Sequence, residues 1–135
     1  MAEYAVTPLW KKLGLKEGHR CYLYQIPENY FELLEAVPVD TEFSDDFDLA
    51  PFDFMHVFIT ESKELLSYWS KWKDHLKKDG SLWVSWPKRS AKIQTDLNGN
   101  TLRTYGLKGG LVEAKVCSID VDWSALKFMY RKGDR

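Results

Sequence analysis

Two short stretches carry side chains able to hold a ligand. The first is PKRS, Pro87 to Ser90, which follows the apolar run GSLWVSW. A flexible ammonium at Lys88 and a forked guanidinium at Arg89 are the groups that grip a phosphate or carboxylate. Ser90 and Asp96 lie in the same connection. The second stretch is Asp120, Asp122, Trp123 and Ser124, between two strand-like runs near the end of the chain. There a tryptophan can stack on a planar ligand while Asp120 pairs with Lys88. Each stretch also has a plainer reading. PKRS is then a strand end returning to water through charged residues, and the second is a turn whose aspartates bond backbone amides while Trp123 folds onto the core.

Other chemistry has less support. YWSKWKDHLKK, residues 68 to 78, alternates aromatic and basic residues as some nucleic-acid grooves do. At helical spacing, however, Trp69, Trp72 and Leu76 share one face and the lysines form its solvated back, so no nucleic acid is expected. Asp45, Asp46 and Asp48 lack the ligand spacing and glycine of a calcium loop, and no metal is expected there. His19, His56 and His75 are scattered, and His56 sits inside an apolar strand as a hydrogen-bonded core imidazole. No glycine-flanked serine elbow occurs, so catalytic residues are not assigned.

Composition bounds the setting of these residues. The chain has 135 residues, 44% hydrophobic and 29% charged, as expected of a soluble globular protein. Its formal net charge of -1 supplies no global field toward nucleic acid or anionic lipid. Cys21 and Cys117 lie in apolar runs and read as reduced, structural thiols, which points to the cytoplasm. No run of 18 apolar residues and no export signal appears, so no membrane association is expected.

The elements that must position the candidate residues follow from periodicity. After a short amphipathic turn near Pro8 to Leu13, RCYLYQI reads as the first strand. In PENYFELLEAVP, Tyr30, Leu33, Leu34 and Val37 fall on one helical face. A short strand is expected near Thr41 to Phe43, and FDFMHVFIT is a strand covered on both faces. Thr60 is placed to cap a helix over about Glu61 to Lys77, with Leu65, Leu66, Trp69, Trp72 and Leu76 on its inner side. GSLWVSW is another strand, Asn100 to Lys108 a short helix, and LVEAKVCSID with VDWSALKFMYR a final strand pair.

This order predicts a single α/β domain over residues 1–135. Its fold is a three-layer, Rossmann-like one: a mainly parallel twisted sheet with a final antiparallel strand and helices on both faces. Right-handed crossovers place the first strand centrally. Ligands in such sheets bind beyond the carboxyl ends of the strands, so the loops to inspect are 25–29, 60–62, 87–96 and 120–124.

The order, with its closing strand pair, resembles the Rossmann-like fold of S-adenosylmethionine-dependent methyltransferases, shortened at the front. PLWKKLGLKEG, FDFMHVFIT, GSLWVSWPK, TDL and LVEAKVCSIDVDWSALKF are similar to a family of small bacterial proteins classed as a domain of unknown function. The resemblance implies the fold and no particular activity. The turn after the first strand is QIPENY, and no glycine occurs from His19 through Asp79. A nucleotide-like cofactor needs close backbone approach there, so none is expected.

Two functional readings follow. One is a noncatalytic domain, its cofactor loop lost, that binds a ligand or a protein. The other is a small-anion binder or enzyme at the carboxyl edge, with Lys88 as charge clamp, Asp96 or Asp120 as polar partner and Trp123 as stacking wall.

Overall fold

A computed structural model describes residues 7–47 and 51–135. The elements are α1 (Leu9–Lys12), β1 (Arg20–Tyr24), α2 (Tyr30–Leu34), β2 (Glu42–Ser44), β3 (Phe52–Phe58), α3 (Ser62–Asp74), β4 (Leu76–Pro87), α4 (Gly99–Lys108), β5 (Leu111–Ser118) and β6 (Trp123–Tyr130). The six strands form one sheet in the order β2-β1-β3-β4-β6-β5. The pairs β1/β2, β1/β3 and β3/β4 are parallel, and β6 runs antiparallel to both β4 and β5. The mainly parallel α/β expectation therefore holds. β1 is internal but second from the edge, because only the three-residue β2 lies outside it.

Side chains alternate across the sheet, and each face closes on its own helices. On one face Met55, Val57, Leu82, Val84, Leu126 and Phe128 meet Leu65, Trp69 and Trp72 of α3 and Leu102 of α4. On the other, Phe54, Phe58, Trp83 and Ala125 meet Leu9 and Leu13 at α1 and Tyr30 and Leu34 of α2. Helix α4 approaches Phe128 closely because Gly106 lies against that ring, where a Cβ would collide with it. Both cysteines are free and buried, and burial pushes the Cys21 thiol up to about 12.

The face under α1 and α2 also carries a buried polar thread. The Tyr30 hydroxyl lies 2.8 Å from His56 Nδ1, and His56 Nε2 lies 2.7 Å from Ser85 Oγ. None of the three is exposed. Both hydroxyls can donate or accept, so either neutral tautomer is satisfied. Burial pushes the imidazole down to about 3, and it stays uncharged. His56 is the core imidazole that its strand position implied.

Four local expectations are corrected. Helix α2 ends at Leu34, because Glu35 turns the backbone to φ 74°, and Val37 is exposed instead of buried. Helix α3 ends at Asp74, and Leu76 opens β4 opposite Phe52, so its burial comes from strand pairing. Leu66 faces solvent, since the stripe through Leu65, Trp69 and Trp72 already fills the contact with the sheet. The cap of α3 is Glu61 rather than Thr60. The Glu64 carboxylate accepts from the Thr60 amide at 3.0 Å and the Glu61 amide at 3.2 Å.

Candidate functional site

Parallel strands bring the ends of β1, β3 and β4 to one rim, and the antiparallel β6 begins at that rim. All four loops singled out by sequence therefore gather there. How their side chains are used differs from one loop to the next.

Between β1 and β3 lies the point where the strand order reverses, where a crevice opens in doubly wound folds. Gln25 spans it. Its backbone adopts φ 53°, and its amide nitrogen donates to the Phe58 carbonyl at 3.0 Å and to Glu64 Oε1 at 2.6 Å. A glycine-like backbone shape is thus kept at the end of β1, but it carries a side chain hydrogen-bonded across to β3 and α3 where a glycine would have none. The following helix, α2, has only five residues.

Further along the rim, Lys88 acts as a clasp. Its backbone amide donates to the Asp122 carbonyl at 2.7 Å. Its ammonium donates to Ser118 Oγ and to the Asp120 carbonyl, both at 2.6 Å. The expected Lys88–Asp120 pairing therefore runs through the main chain. The Asp120 carboxylate is engaged elsewhere, accepting from the amides of Asp122 at 2.8 Å and Trp123 at 2.9 Å. Short aspartates favour this kind of turn.

Trp123 stands edge-on to Phe58 at 5.1 Å, on the α1/α2 face of the sheet. Ser124, next along β6, pairs with Trp86 and points to the other face. Trp123 does not line the cleft beside Lys88, so the expected stacking wall is not part of that site. Strand alternation separates the two residues.

The cleft itself has a volume of about 520 Å³ and runs from Trp86, Lys88 and Arg89 to Gln94, Asp96 and Asn98. A neighbouring hollow of about 460 Å³ shares Gln94, Thr95 and Asp96 and reaches Thr60 and Glu61. Arg89 and Ser90 are exposed. The loop is tied to the start of α3. Asp96 accepts from the Ser62 amide at 2.8 Å and the Ser62 hydroxyl at 2.6 Å, and Thr95 Oγ1 donates to the Thr60 carbonyl at 2.6 Å. The two bonds from Ser62, hydroxyl first, hold the Asp96 carboxyl below its usual range. Lys88, Arg89 and Asp96 thus share one cleft, while Asp120, Trp123 and Ser124 belong to the turn and strand beside it. Trp86, Gln94 and Asn98 were not anticipated. The signal for Trp86 was its place as the last aromatic before Pro87 on a strand ending at the rim.

Among the described residues no group of three or more His, Cys, Asp or Glu is placed to hold a metal ion, and no helix is long and apolar enough to cross a membrane. Asp48, of the acidic loop, lies outside the described residues.

No protein-family model and no curated protein matches this chain. Solved structures do. The magnesium protoporphyrin IX methyltransferase from Synechocystis PCC 6803, with bound SAH, superposes with a TM-score of 0.58 at 9% identity, covering 91% of this chain and 78% of that one. The ribosomal protein L11 methylase from Lactobacillus delbrueckii subsp. bulgaricus gives 0.56 at 12% identity, covering 90% and 74%. A putative methyltransferase from Thermoplasma acidophilum gives 0.55 at 10% identity, covering 95% and 76%.

The chain has a methyltransferase-like fold. Its sheet order and closing antiparallel strand belong to that Rossmann-like architecture. At these identities the likeness concerns the path of the backbone, and chemistry must be argued from side chains.

Proposed function

We propose that this methyltransferase-like domain does not transfer methyl groups and instead binds a small anionic ligand in the cleft between Trp86 and Asn98. The observation that carries this reading is Gln25, whose side chain bridges Phe58 and Glu64 across the crevice where this fold class binds its ligands. The cleft along the rim has the complementary character. Trp86 offers an aromatic wall, Arg89 a planar fork of donors, and Lys88 a positive charge whose position is fixed by two hydrogen bonds. In this reading the protein is cytoplasmic, supported by two free, buried cysteines, and belongs to the small bacterial family whose segments it resembles.

A melting screen tests the proposal, since a ligand that binds only the folded state raises the melting temperature. Phosphorylated and carboxylated metabolites are run beside S-adenosylmethionine and S-adenosylhomocysteine. The expected result is a rise with at least one anion that Arg89→Ala removes, and none with the two sulfur compounds. A saturable rise with S-adenosylmethionine, or no response to any anion, overturns it.

A further inference from the structure

A net charge of -1 conceals a strong segregation. Residues 21–62 contain ten Asp or Glu and no Lys or Arg, while all nineteen basic residues and the other ten acidic ones lie outside that stretch. Its described residues form β1, α2, β2 and β3 and the start of α3, so they lie on the β2 side of the sheet. Asp53 pairs with Lys77 at 2.9 Å and Glu61 with Lys63 at 3.4 Å. Glu28, Glu32, Glu35, Glu42, Asp45 and Asp46 are exposed. Among the described residues the only ion pair recorded for these six is Glu42 with Arg20, at 3.9 Å.

On this side of the sheet opens an apolar groove with one of these acids, Asp45, in its lining. A hollow of about 600 Å³ is lined by Leu23, Ile26, Phe31 and Phe43, with Gln25, Ser44 and Asp45 at its rim. Phe31 and Phe43 meet edge to face at 5.1 Å, yet Phe31 remains 47% exposed. Val37 and Val39, from the connection between α2 and β2, are exposed as well. An aromatic left in water beside an apolar hollow marks a contact surface when it belongs to a continuous patch.

We propose that this groove docks a lysine- or arginine-rich segment of a partner protein, with an apolar side chain of that segment seated between Phe31 and Phe43. The acidic rim steers a basic segment and rejects an acidic one. Lysine and arginine stems can lie on the Phe31 and Phe43 rings while their charged heads reach Asp45. The cleft at Lys88 calls for the opposite charge, so the two sites are separate and this proposal stands without the one above.

Fluorescence anisotropy with a labelled lysine–phenylalanine peptide tests it, beside a glutamate–phenylalanine and a lysine–serine peptide of equal length. The lysine–phenylalanine peptide is expected to bind at least about tenfold more tightly than either control. Its affinity should fall about tenfold as salt rises from about 50 to about 300 mM. Both Phe31→Ser and the double variant Glu32→Lys with Asp45→Lys should abolish binding while the circular dichroism spectrum is retained. Asp134→Lys, an exposed acid outside the acidic stretch, should leave binding unchanged.

Unaltered binding by the charge-reversed variant, no binding of the lysine–phenylalanine peptide at low salt, or equal binding of the lysine–serine peptide overturns the proposal. Two other results also overturn it by giving the surface to another occupant. Self-association at low salt that the double variant abolishes would assign it to a second copy, and full displacement of the peptide by micromolar spermidine would assign it to a small polycation.

Discussion

Helices of ten and thirteen residues close one face of the sheet, while helices of four and five residues close the other. The long helices bring continuous apolar stripes, so their face is held by volume: Trp69, Trp72, Leu65 and Leu102 against Leu82, Val84 and Phe128. The short helices cannot supply a comparable stripe. Their face adds specific hydrogen bonds: Trp83 Nε1 donates to the Leu13 carbonyl at 2.8 Å, and Tyr30, His56 and Ser85 form a closed thread. The α3/α4 face has directional bonds too, from Trp69 Nε1 to the Gly109 carbonyl and from the Tyr130 hydroxyl to the Lys73 carbonyl, but the fully buried polar side chains His56 and Ser85 lie on the other face, so the two are closed differently. The two solutions should fail differently when perturbed.

The largest expected difference lies between Trp72→Ala and Tyr30→Phe. Removing a fully buried indole should cost about 3–5 kcal/mol in urea unfolding. Tyr30→Phe keeps the ring and removes one partner of His56, which should cost about 1–3 kcal/mol. If Tyr30→Phe proved the costlier of the two, the division between volume and hydrogen bonding would be wrong.

Acid should strike the polar face selectively. Folded His56 has its pKa pushed down to about 3, below the ordinary 6.5 of an unfolded histidine. Between those values the unfolded chain binds the extra proton, so stability is complete above about pH 6.5 and declines as pH falls toward 3. The slope from this residue reaches about 1.4 kcal/mol per pH unit. His19, also lowered chiefly by burial, acts in the same direction. Unfolding curves at pH 7, 5.5 and 4.5 should show the loss, and His56→Gln should flatten most of it. Trp72→Ala should keep the pH slope of the parent chain.

The smallest effect is expected at the rim. Lys88→Met removes the clasp on Ser118 and Asp120 and should cost about 1 kcal/mol. Its nuclear magnetic resonance signature should stay within residues 118–124. A change spreading to α3 would mean that the 88–98 loop and the 118–124 turn form one unit, not two.

The frame of the molecule was legible in the sequence because FDFMHVFIT and GSLWVSW are apolar on both sides, as only doubly covered strands are. Asn98, Gly109 and Gly110 likewise bound α4 about where spacing implies. Boundaries were harder. Leu76 satisfies the helical spacing of Trp69 and Trp72 equally well, and only its pairing with Phe52 decides in favour of a strand. At the candidate site, residue types and the strand order placed Lys88, Arg89 and Asp96 at the rim, but their partners could not be read from spacing. Whether Lys88 meets a carboxylate or a carbonyl depends on the path of a turn more than thirty positions away in the chain. The charge segregation was present in the sequence throughout. Totals cancelled it, and a running count along the chain brings it out.

Asp96 closes the first turn of α3 from a loop thirty-four residues downstream of Ser62. That single carboxylate makes the Ser62 amide a natural reporter: each time the loop lifts, one helix-end proton is left open to solvent. Deuterium uptake at Ser62 should therefore track occupancy of the neighbouring cleft, slowing when a guest holds the loop down. The protein carries its own gauge for finding that guest, readable before any chemical turnover is known.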